Sequence, residues 1–145
     1  MVGVLSMNIA KIIAKRNCGQ VRLNYCTNYD YSLDELLTGF DLKANQAALT
    51  EINAKEAVDI ITALLWKGLA YNSEIMPLAE AQGYANELVE SFAQIGNRFF
   101  TNAEWQKYHE ASAFSYHSFT DATIDGGIMV TNANSAMVFW VEDED

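Results

Sequence analysis

Four side chains in this sequence could act as nucleophiles, bases or metal ligands: Cys18, Cys26, His109 and His117. The two cysteines are eight residues apart, and so are the two histidines. Structural zinc sites usually place paired ligands about two to five residues apart, so that one turn presents both. A cysteine–histidine enzyme needs a thiolate activated by a neighbouring base, and no local signature of that kind surrounds either cysteine. The sequence therefore predicts no metal, no cofactor and no catalytic residue, and we expect a protein that is not an enzyme.

Asp121 and Asp125 are a pair of carboxylates that could carry out acid–base chemistry or bind a divalent cation. An EF-hand loop needs acids at alternate positions, a central glycine and a distant glutamate, and this segment has a different register. The adjoining Gly126 and Gly127 also lack the spacing of a phosphate-binding loop. We interpret Asp125-Gly126-Gly127 as a turn in which glycine adopts a positive φ.

Charge is distributed unevenly along the chain. Residues 1–29 contain four bases and no acid, whereas all 19 carboxylates lie from Asp30 onward and face five bases. The formal net charge is −10, and the chain ends in Glu142-Asp143-Glu144-Asp145 directly after an apolar run. A field of this sign repels nucleic acid and anionic membranes and accelerates encounters with a basic protein. We therefore expect a basic protein partner, no direct binding of nucleic acid and no membrane association.

The predicted contact surface combines the C-terminal acids with acids of one helix and one turn. If strand pairing continues to Glu142, carboxylates project to alternating faces at intervals of about 3.3 Å. Such a row could resemble phosphates to a protein whose groove binds nucleic acid. The alternative is a solvated tail that only aids solubility. The predicted contact acids are Glu80, Glu87, Glu90, Asp121, Asp125, Glu142, Asp143, Glu144 and Asp145.

Aromatic side chains could anchor such a contact. Trp140 precedes the acidic run, and Tyr29 and Tyr31 lie in a polar segment with little core pattern. Tyrosine combines a large contact area with a polar tip and is enriched in binding surfaces. We expect Trp140, Tyr29 and Tyr31 to contact the partner, although the tyrosines would serve equally well at the edge of the core.

Helices are expected to position these residues in the middle of the chain. The clearest begins at Asn53, which forms a capping-box pattern with Glu56, and runs to about Tyr71. Ser32 is the expected N-cap of a brief helix that stops at Gly39. The remaining helices are predicted over residues 7–15, 77–95 and 101–110.

Strands are expected near both ends. The alternation of residues 21–26 predicts a half-buried strand, and residues 114–124, 128–131 and 136–141 are separated by segments rich in turn formers. The predicted fold class is α+β, with central helices packed on a small antiparallel sheet. A C-terminal three-strand meander builds this sheet, and the N-terminal strand could join it.

The chain length fits one domain, residues 1–145, and half of the residues are apolar. The longest apolar stretch, residues 57–65, is much shorter than the roughly 20 residues of a membrane span. The first residues lack the pattern of a secretory signal, so we expect a cytoplasmic protein with reduced cysteines. We interpret residues 1–6 as a non-native or disordered extension.

Size and charge favour a small acidic protein that binds and blocks a basic, nucleic-acid-binding target. Phage antirestriction and anti-CRISPR inhibitors and toxin-immunity proteins have this general character. One alternative is an enzyme or ligand-binding domain with a pocket lined by Trp66, Tyr116 and Phe119, using His109, His117 or a cysteine. Another is a structural homo-oligomer, such as a homodimer, joined through the C-terminal strand.

Overall fold

A computed structural model describes residues 11–12, 14–27, 30–69, 73–91, 96–105 and 114–144. The helices in this part of the chain are α1 (Leu33–Gly39), α2 (Ala54–Trp66) and α3 (Leu78–Ser91). The strands are β1 (Gln20–Thr27), β2 (Thr50–Ile52), β3 (Arg98–Thr101), β4 (Ala103–Trp105), β5 (Phe114–Tyr116), β6 (Ile124–Thr131) and β7 (Ser135–Asp143). The predicted α+β class is confirmed. No helix of the described ranges is long and apolar enough to cross a membrane.

Five strands form one antiparallel sheet in the order β1-β7-β6-β3-β2, and β4 pairs separately with β5. The predicted N-terminal strand is β1, which lies along β7 with Val21 opposite Val141. On its other side β7 pairs with β6, where Ile128 lies opposite Phe139. Strand β7 therefore lies inside the sheet with both of its edges paired, so it offers no free edge for the strand-to-strand contact expected of a homo-oligomer.

Two helices start as local sequence chemistry predicts. Ser32 accepts a hydrogen bond from the backbone N–H of Glu35 (3.1 Å), and its own N–H donates to the Glu35 carboxylate (2.9 Å). Asn53 and Glu56 make the same reciprocal pair at 2.8 and 3.1 Å. Both capping boxes satisfy donors that a helix N-terminus leaves open. Helix α2 ends at Trp66, earlier than predicted.

Side chains cover both faces of the large sheet. On the first face, α2 and α3 pack on residues that include Ile128, Phe139 and Val141. On the second face, α1 and the loops around residues 40–49 and 117–123 cover the strand side chains that point the other way, which include Val138 and Trp140. Strands β6 and β7 are consequently buried almost continuously. Each large apolar side chain withdrawn from water in this way contributes about 1.5–3 kcal/mol.

The predicted turn at Asp125-Gly126-Gly127 is wrong, because these residues lie within β6. Gly127 is needed there for close strand approach: a Cβ would meet the carbonyl oxygen of Phe139 and lie 2.7 Å from the Cα of Trp140. The predicted strand over 114–124 is likewise replaced by the short β5 and a loop over 117–123. The predicted meander is reduced to the β6–β7 hairpin. The predicted turn of this hairpin is confirmed at Asn132, whose side-chain oxygen accepts hydrogen bonds from the backbone N–H groups of Asn134 and Ser135.

The helix predicted over residues 101–110 is wrong for its described part. Ala103–Trp105 is strand β4, with Ala103 opposite Tyr116. Residues 106–110 lie outside the described ranges, as do residues 7–10 of the predicted first helix and residues 92–95 of the helix that contains α3. Residues 11, 12, 14 and 15 are helical, and the N–H of Arg16 donates to the carbonyl of Ile12 at 3.0 Å.

Candidate functional site

The bases near the N-terminus fold onto acids from later parts of the chain, so they do not form a separate basic surface. Their partners are carboxylates in three cases and a tyrosine ring in the fourth. The contacts are Lys11 over the ring of Tyr84 (5.6 Å), Lys15 with Glu80 (3.2 Å), Arg16 with Asp143 (2.9 Å), and Arg22 with Glu142 and Asp41. The positive charges near the N-terminus thus lie beside negative charges from later in the chain, and the net charge of the protein remains negative.

Asp143 is a structural residue in the interior. Its carboxylate and the Arg16 guanidinium form two parallel hydrogen bonds of 2.9 and 3.1 Å, with side chains 2% and 0% exposed. The N–H of Leu69 donates to the same carboxylate at 2.6 Å, and Arg16 also donates to the carbonyls of Leu64 and Cys18. The prediction that Asp143 contacts a partner is therefore corrected, because β7 directs this side chain to the helical face.

Asp125 and Trp140 are also buried, with no exposed surface. The indole N–H of Trp140 donates to Asp125 at 3.0 Å, and the Trp140 ring lies 5.5 Å from that of Phe119. The other donors to the Asp125 carboxylate come from Asn102, Ser118, Phe119 and Thr120. This carboxylate holds loop 117–123 on the sheet. The predicted roles of Asp125 and Trp140 as surface contacts are corrected, because β7 points Trp140 into the covered second face.

Four carboxylates that reach the surface line one cleft of about 480 Å³. It lies where the ends of β1 and β7 meet the segments after α1 and before β6. Four carboxylates and two bases line it: Asp41, Asp121, Glu142, Glu144, Arg22 and Lys43. We call this site the acidic cleft. Three of its acids, Asp121, Glu142 and Glu144, belong to the predicted contact set.

Ion pairs inside the acidic cleft differ in exposure. Burial lowers the pKa of Arg22, but its bonds to Glu142 and Asp41 outweigh this effect and raise the pKa overall. Arg22 therefore stays charged and fixes Glu142, whose side chain is only 13% exposed. Asp41 and Asp121 are fully open to solvent, and their 3.5 Å pairs with Arg22 and Lys43 are of a kind that contributes little. Asp41 and Asp121 can therefore leave Arg22 and Lys43 and pair with basic side chains of another protein at a small cost in free energy.

The other predicted contact residues do not lie together in the structure. Glu80, Glu87 and Glu90 lie on α3, on the opposite side of the sheet from the acidic cleft. Glu80 is engaged by Lys15 and accepts from the hydroxyl of Tyr84 at 3.3 Å, whereas Glu87 and Glu90 are exposed. Asp145 and Tyr29 lie outside the described residues. The acids therefore form a cleft and a separate helix face.

Asp41, Arg22 and Lys43 are site residues that the sequence did not identify. Asp41 adopts a φ of 62°, a left-handed conformation that aspartate tolerates better than most residues. Its position just after Gly39 signals the end of α1, but no local pattern places it beside Glu142. That proximity arises only when β1 pairs with β7 and α1 folds over the second face.

A second cavity of about 760 Å³ adjoins Tyr31, whose surface is 45% exposed. We call it the apolar cavity, and its lining is formed by Cys26, Thr27, Tyr31, Asp34, Glu35, Leu36, Thr38 and Gly39. Burial raises the pKa of the Cys26 thiol. A thiol so affected carries less thiolate at neutral pH and is a weaker nucleophile.

Of the residues predicted to line a pocket between the central helix and the sheet, Trp66 and Phe119 do not lie together. Trp66 packs with the core of the first face and Phe119 with that of the second, so the sheet separates them. His117 is exposed beside a cavity of about 240 Å³ that Glu104 also lines. His109 and the side chain of Tyr116 lie outside what the structure describes. Within the described ranges, no group of three or more His, Cys, Asp or Glu residues could hold a metal ion.

Comparisons with protein-family models, with curated proteins and with solved structures found no match to this chain. Function is therefore inferred from the geometry of the acidic cleft and from the charge around it.

Proposed function

We propose that this protein binds and blocks a basic partner protein, and that the acidic cleft is its contact surface. The observation that carries the proposal is the convergence of exposed carboxylates, Asp41, Asp121 and Glu144, on one concave site. The formal net charge of −10 extends the same field around the molecule. Concavity supports the proposal because it lets several carboxylates surround one cationic side chain.

The solvent exposure of these acids determines how they would contribute to binding of the partner. An exposed carboxylate has little desolvation to offset, so it mainly steers and orients the partner. Steered association reaches about 10⁸–10⁹ M⁻¹s⁻¹ at low salt, compared with about 10⁵–10⁶ M⁻¹s⁻¹ without steering. The Arg22–Glu142 pair supports the proposal in another way, because it fixes the cleft before the partner arrives. We expect fast, strongly salt-dependent binding.

A nucleic-acid-binding enzyme or toxin is the target class that this charge favours. Its functional groove is built to hold rows of phosphates, and anionic carboxylates can occupy the same field. Binding there would exclude the nucleic acid, as a phage antirestriction or anti-CRISPR inhibitor or an immunity protein does. The protein itself is proposed to bind no nucleic acid, since its own field repels a polyanion.

Two double variants test the contact surface. Asp121→Lys with Glu144→Lys reverses charge in the acidic cleft, and Glu87→Lys with Glu90→Lys is the matched control on α3. Both pairs change exposed residues and shift the net charge equally. The partner is first isolated from lysate on immobilised wild-type protein, and association rates are then measured with the purified partner. We expect the cleft variant to associate at least about tenfold more slowly at low salt, while the control stays within about threefold of wild type. Equal slowing by both variants would refute the cleft as the contact surface.

A further inference from the structure

Loop 117–123 forms one wall of the acidic cleft. It contributes four of the lining residues, Phe119, Thr120, Asp121 and Ala122. The loop lies between β5 and β6 and contains no helix or strand. The Asp121 carboxylate is fully exposed, and its described ion pair is the 3.5 Å contact with Lys43, which does little to fix a side chain. The place of Asp121 in the cleft therefore depends on how the loop backbone is held.

The carboxylate of Asp125 holds this backbone from inside the protein. Asp125 has no exposed surface, and the backbone N–H groups of Phe119 and Thr120 both donate to its carboxylate at 3.1 Å. The hydroxyl groups of Ser118 (3.0 Å) and Thr120 (2.9 Å) donate to one of its oxygens. The indole N–H of Trp140 donates to the other at 3.0 Å. Three consecutive residues of the loop are thus bonded to one buried carboxylate.

The donors described for Asp125 are all uncharged: backbone N–H groups, hydroxyls, an amide and an indole. A carboxylate buried among such donors loses its hydration without gaining an opposite charge, a cost that an apolar side chain would avoid. A role in placing the loop accounts for a carboxylate at this position.

Further hydrogen bonds carry this order from the bonded residues to the cleft. The hydroxyl oxygen of Thr120 accepts from the N–H of Ala122 at 3.1 Å, so the residues on both sides of Asp121 are fixed. The carbonyl of Phe119 accepts from the N–H of Lys43 at 2.9 Å. This bond joins the loop to the opposite wall, which also carries Lys43. The two walls of the cleft are therefore set relative to each other before a partner arrives.

We propose that Asp125 is a positioning residue of the acidic cleft, which places Asp121 for the partner through the backbone of loop 117–123. A surface already held in its bound geometry loses less freedom on binding, and effects of this kind appear mostly in the dissociation rate. Asp125 is buried and does not touch the partner. This inference rests on the proposed function and names the internal group that prepares its contact surface.

Two variants of different severity test the inference in the full-length protein. Asp125→Asn replaces an accepting oxygen with a donor, and Ser118→Ala removes one donor at an exposed residue that does not line the cleft. Glu87→Gln, exposed on α3, is the control for the loss of one charge. Leu88→Ala, buried on the first face of the sheet, is the control for lowered stability away from the loop. Thermal melts establish which variants are folded, and Ser118→Ala decides if Asp125→Asn is not.

Amide exchange of the protein alone is the first readout. Exchange at Phe119, Thr120 and Ala122 is compared with exchange along β7, so that a general loss of stability cancels. In Asp125→Asn this ratio should rise at least about fivefold, in Ser118→Ala at least about twofold, and in both controls it should stay within about 1.5-fold of wild type. An unchanged ratio in the folded loop variants would overturn the inference without any partner being known.

Dissociation of the isolated partner is the second readout. Asp125→Asn should release the partner at least about fivefold faster, and Ser118→Ala at least about twofold faster, with association rates within about twofold of Glu87→Gln. In an Asp121→Ala background, Asp125→Asn should change the dissociation rate less than about twofold, because the side chain that it positions is absent. A merely structural role would give no such dependence on Asp121, and Leu88→Ala should release the partner as wild type does. Equal acceleration with and without Asp121 would overturn the inference.

The two readouts separate this inference from the proposed function. If the cleft double variant and its α3 control bind the partner alike, the proposed function fails, whatever amide exchange reports for the loop. If the cleft double variant loses binding while Asp125→Asn loosens the loop and still releases the partner at the wild-type rate, the function stands and the positioning role is refuted.

Discussion

Removing the charge of Asp143 is expected to destabilise the fold severely. In Asp143→Asn the Arg16 guanidinium loses its ionic partner while its side chain remains without solvent exposure. An uncompensated buried charge costs about 3–5 kcal/mol, against a total stability of about 5–15 kcal/mol for a domain. The N–H of Leu69 also loses its charged acceptor. The strand end, the end of α2 and the N-terminal segment would then be held together less firmly.

Urea unfolding measures this effect. With a slope of about 2 kcal/mol per molar urea, the midpoint should fall by roughly 1.5–2.5 M. Glu87→Gln, at an exposed acid of α3, is the control and should shift the midpoint by less than about 0.3 M. Arg16→Met combined with Asp143→Leu should recover only part of the loss, since it removes the uncompensated charge but leaves the N–H of Leu69 and the carbonyl of Leu64 without these partners. A midpoint shift below about 0.5 M for Asp143→Asn would refute the burial of this pair.

Three further predictions concern other parts of the fold. Gly127→Ala should lower the free energy of unfolding measured in urea by about 1–3 kcal/mol, because its Cβ would collide with the β7 backbone at Phe139. An unchanged urea midpoint would contradict the close approach of the two strands. Asp125→Asn should weaken the near-ultraviolet circular dichroism of Trp140 and lower the free energy of unfolding by about 1–3 kcal/mol. The reason is that an amide group, which donates, replaces a carboxylate oxygen that accepts several hydrogen bonds. An unchanged spectrum would count against this network. The hydrogen bond from Arg98 lowers the pKa of Glu51, so the pair stabilises the protein above the ordinary pKa range of glutamate and ceases to do so as the pH falls through the lowered pKa. Glu51→Gln should therefore be less stable than wild type at neutral pH and indistinguishable from it in strong acid; a difference that grows with acidity would reverse the sign of this linkage.

Local chemistry made part of this fold predictable. The capping boxes at Ser32 and Asn53 involve residues three apart, and the β6–β7 turn at Asn132 is formed by neighbouring side chains and backbone. The alternation of β1 likewise reflects one covered and one partly covered face. Each of these features is decided within a few residues, so sequence pattern alone identified them.

Other features depend on contacts between distant residues. Asp125 looked like a turn residue because glycines follow it, but its carboxylate accepts bonds from loop 117–123, and β7 pairs with its strand. Strand β4 carries a helix-start pattern that pairing with β5 overrides. Strands β2 and β3 are too short to show a period.

The candidate site was predictable only in its charge. Asp121, Glu142 and Glu144 were identified as exposed acids, and the structure places them in one cleft. Asp143 differs from its neighbours in the same acidic run because strand alternation turns it inward to Arg16. The addition of Asp41 required β1, β7 and α1 to meet, which no spacing in the sequence encodes.

Site-specific photo-crosslinking shows whether the acidic cleft is the surface that contacts a partner. A photoreactive amino acid replaces Ala122, which lines the acidic cleft, and a second version carries it at Gln82 on α3. Crosslinked partners are identified by mass spectrometry at low and high salt. We expect the Ala122 position to capture a protein through a basic segment, high salt to abolish this product, and the Gln82 position not to capture it. Capture from Gln82 alone, or capture at Ala122 through an uncharged segment that persists in high salt, would contradict the acidic cleft as the contact surface.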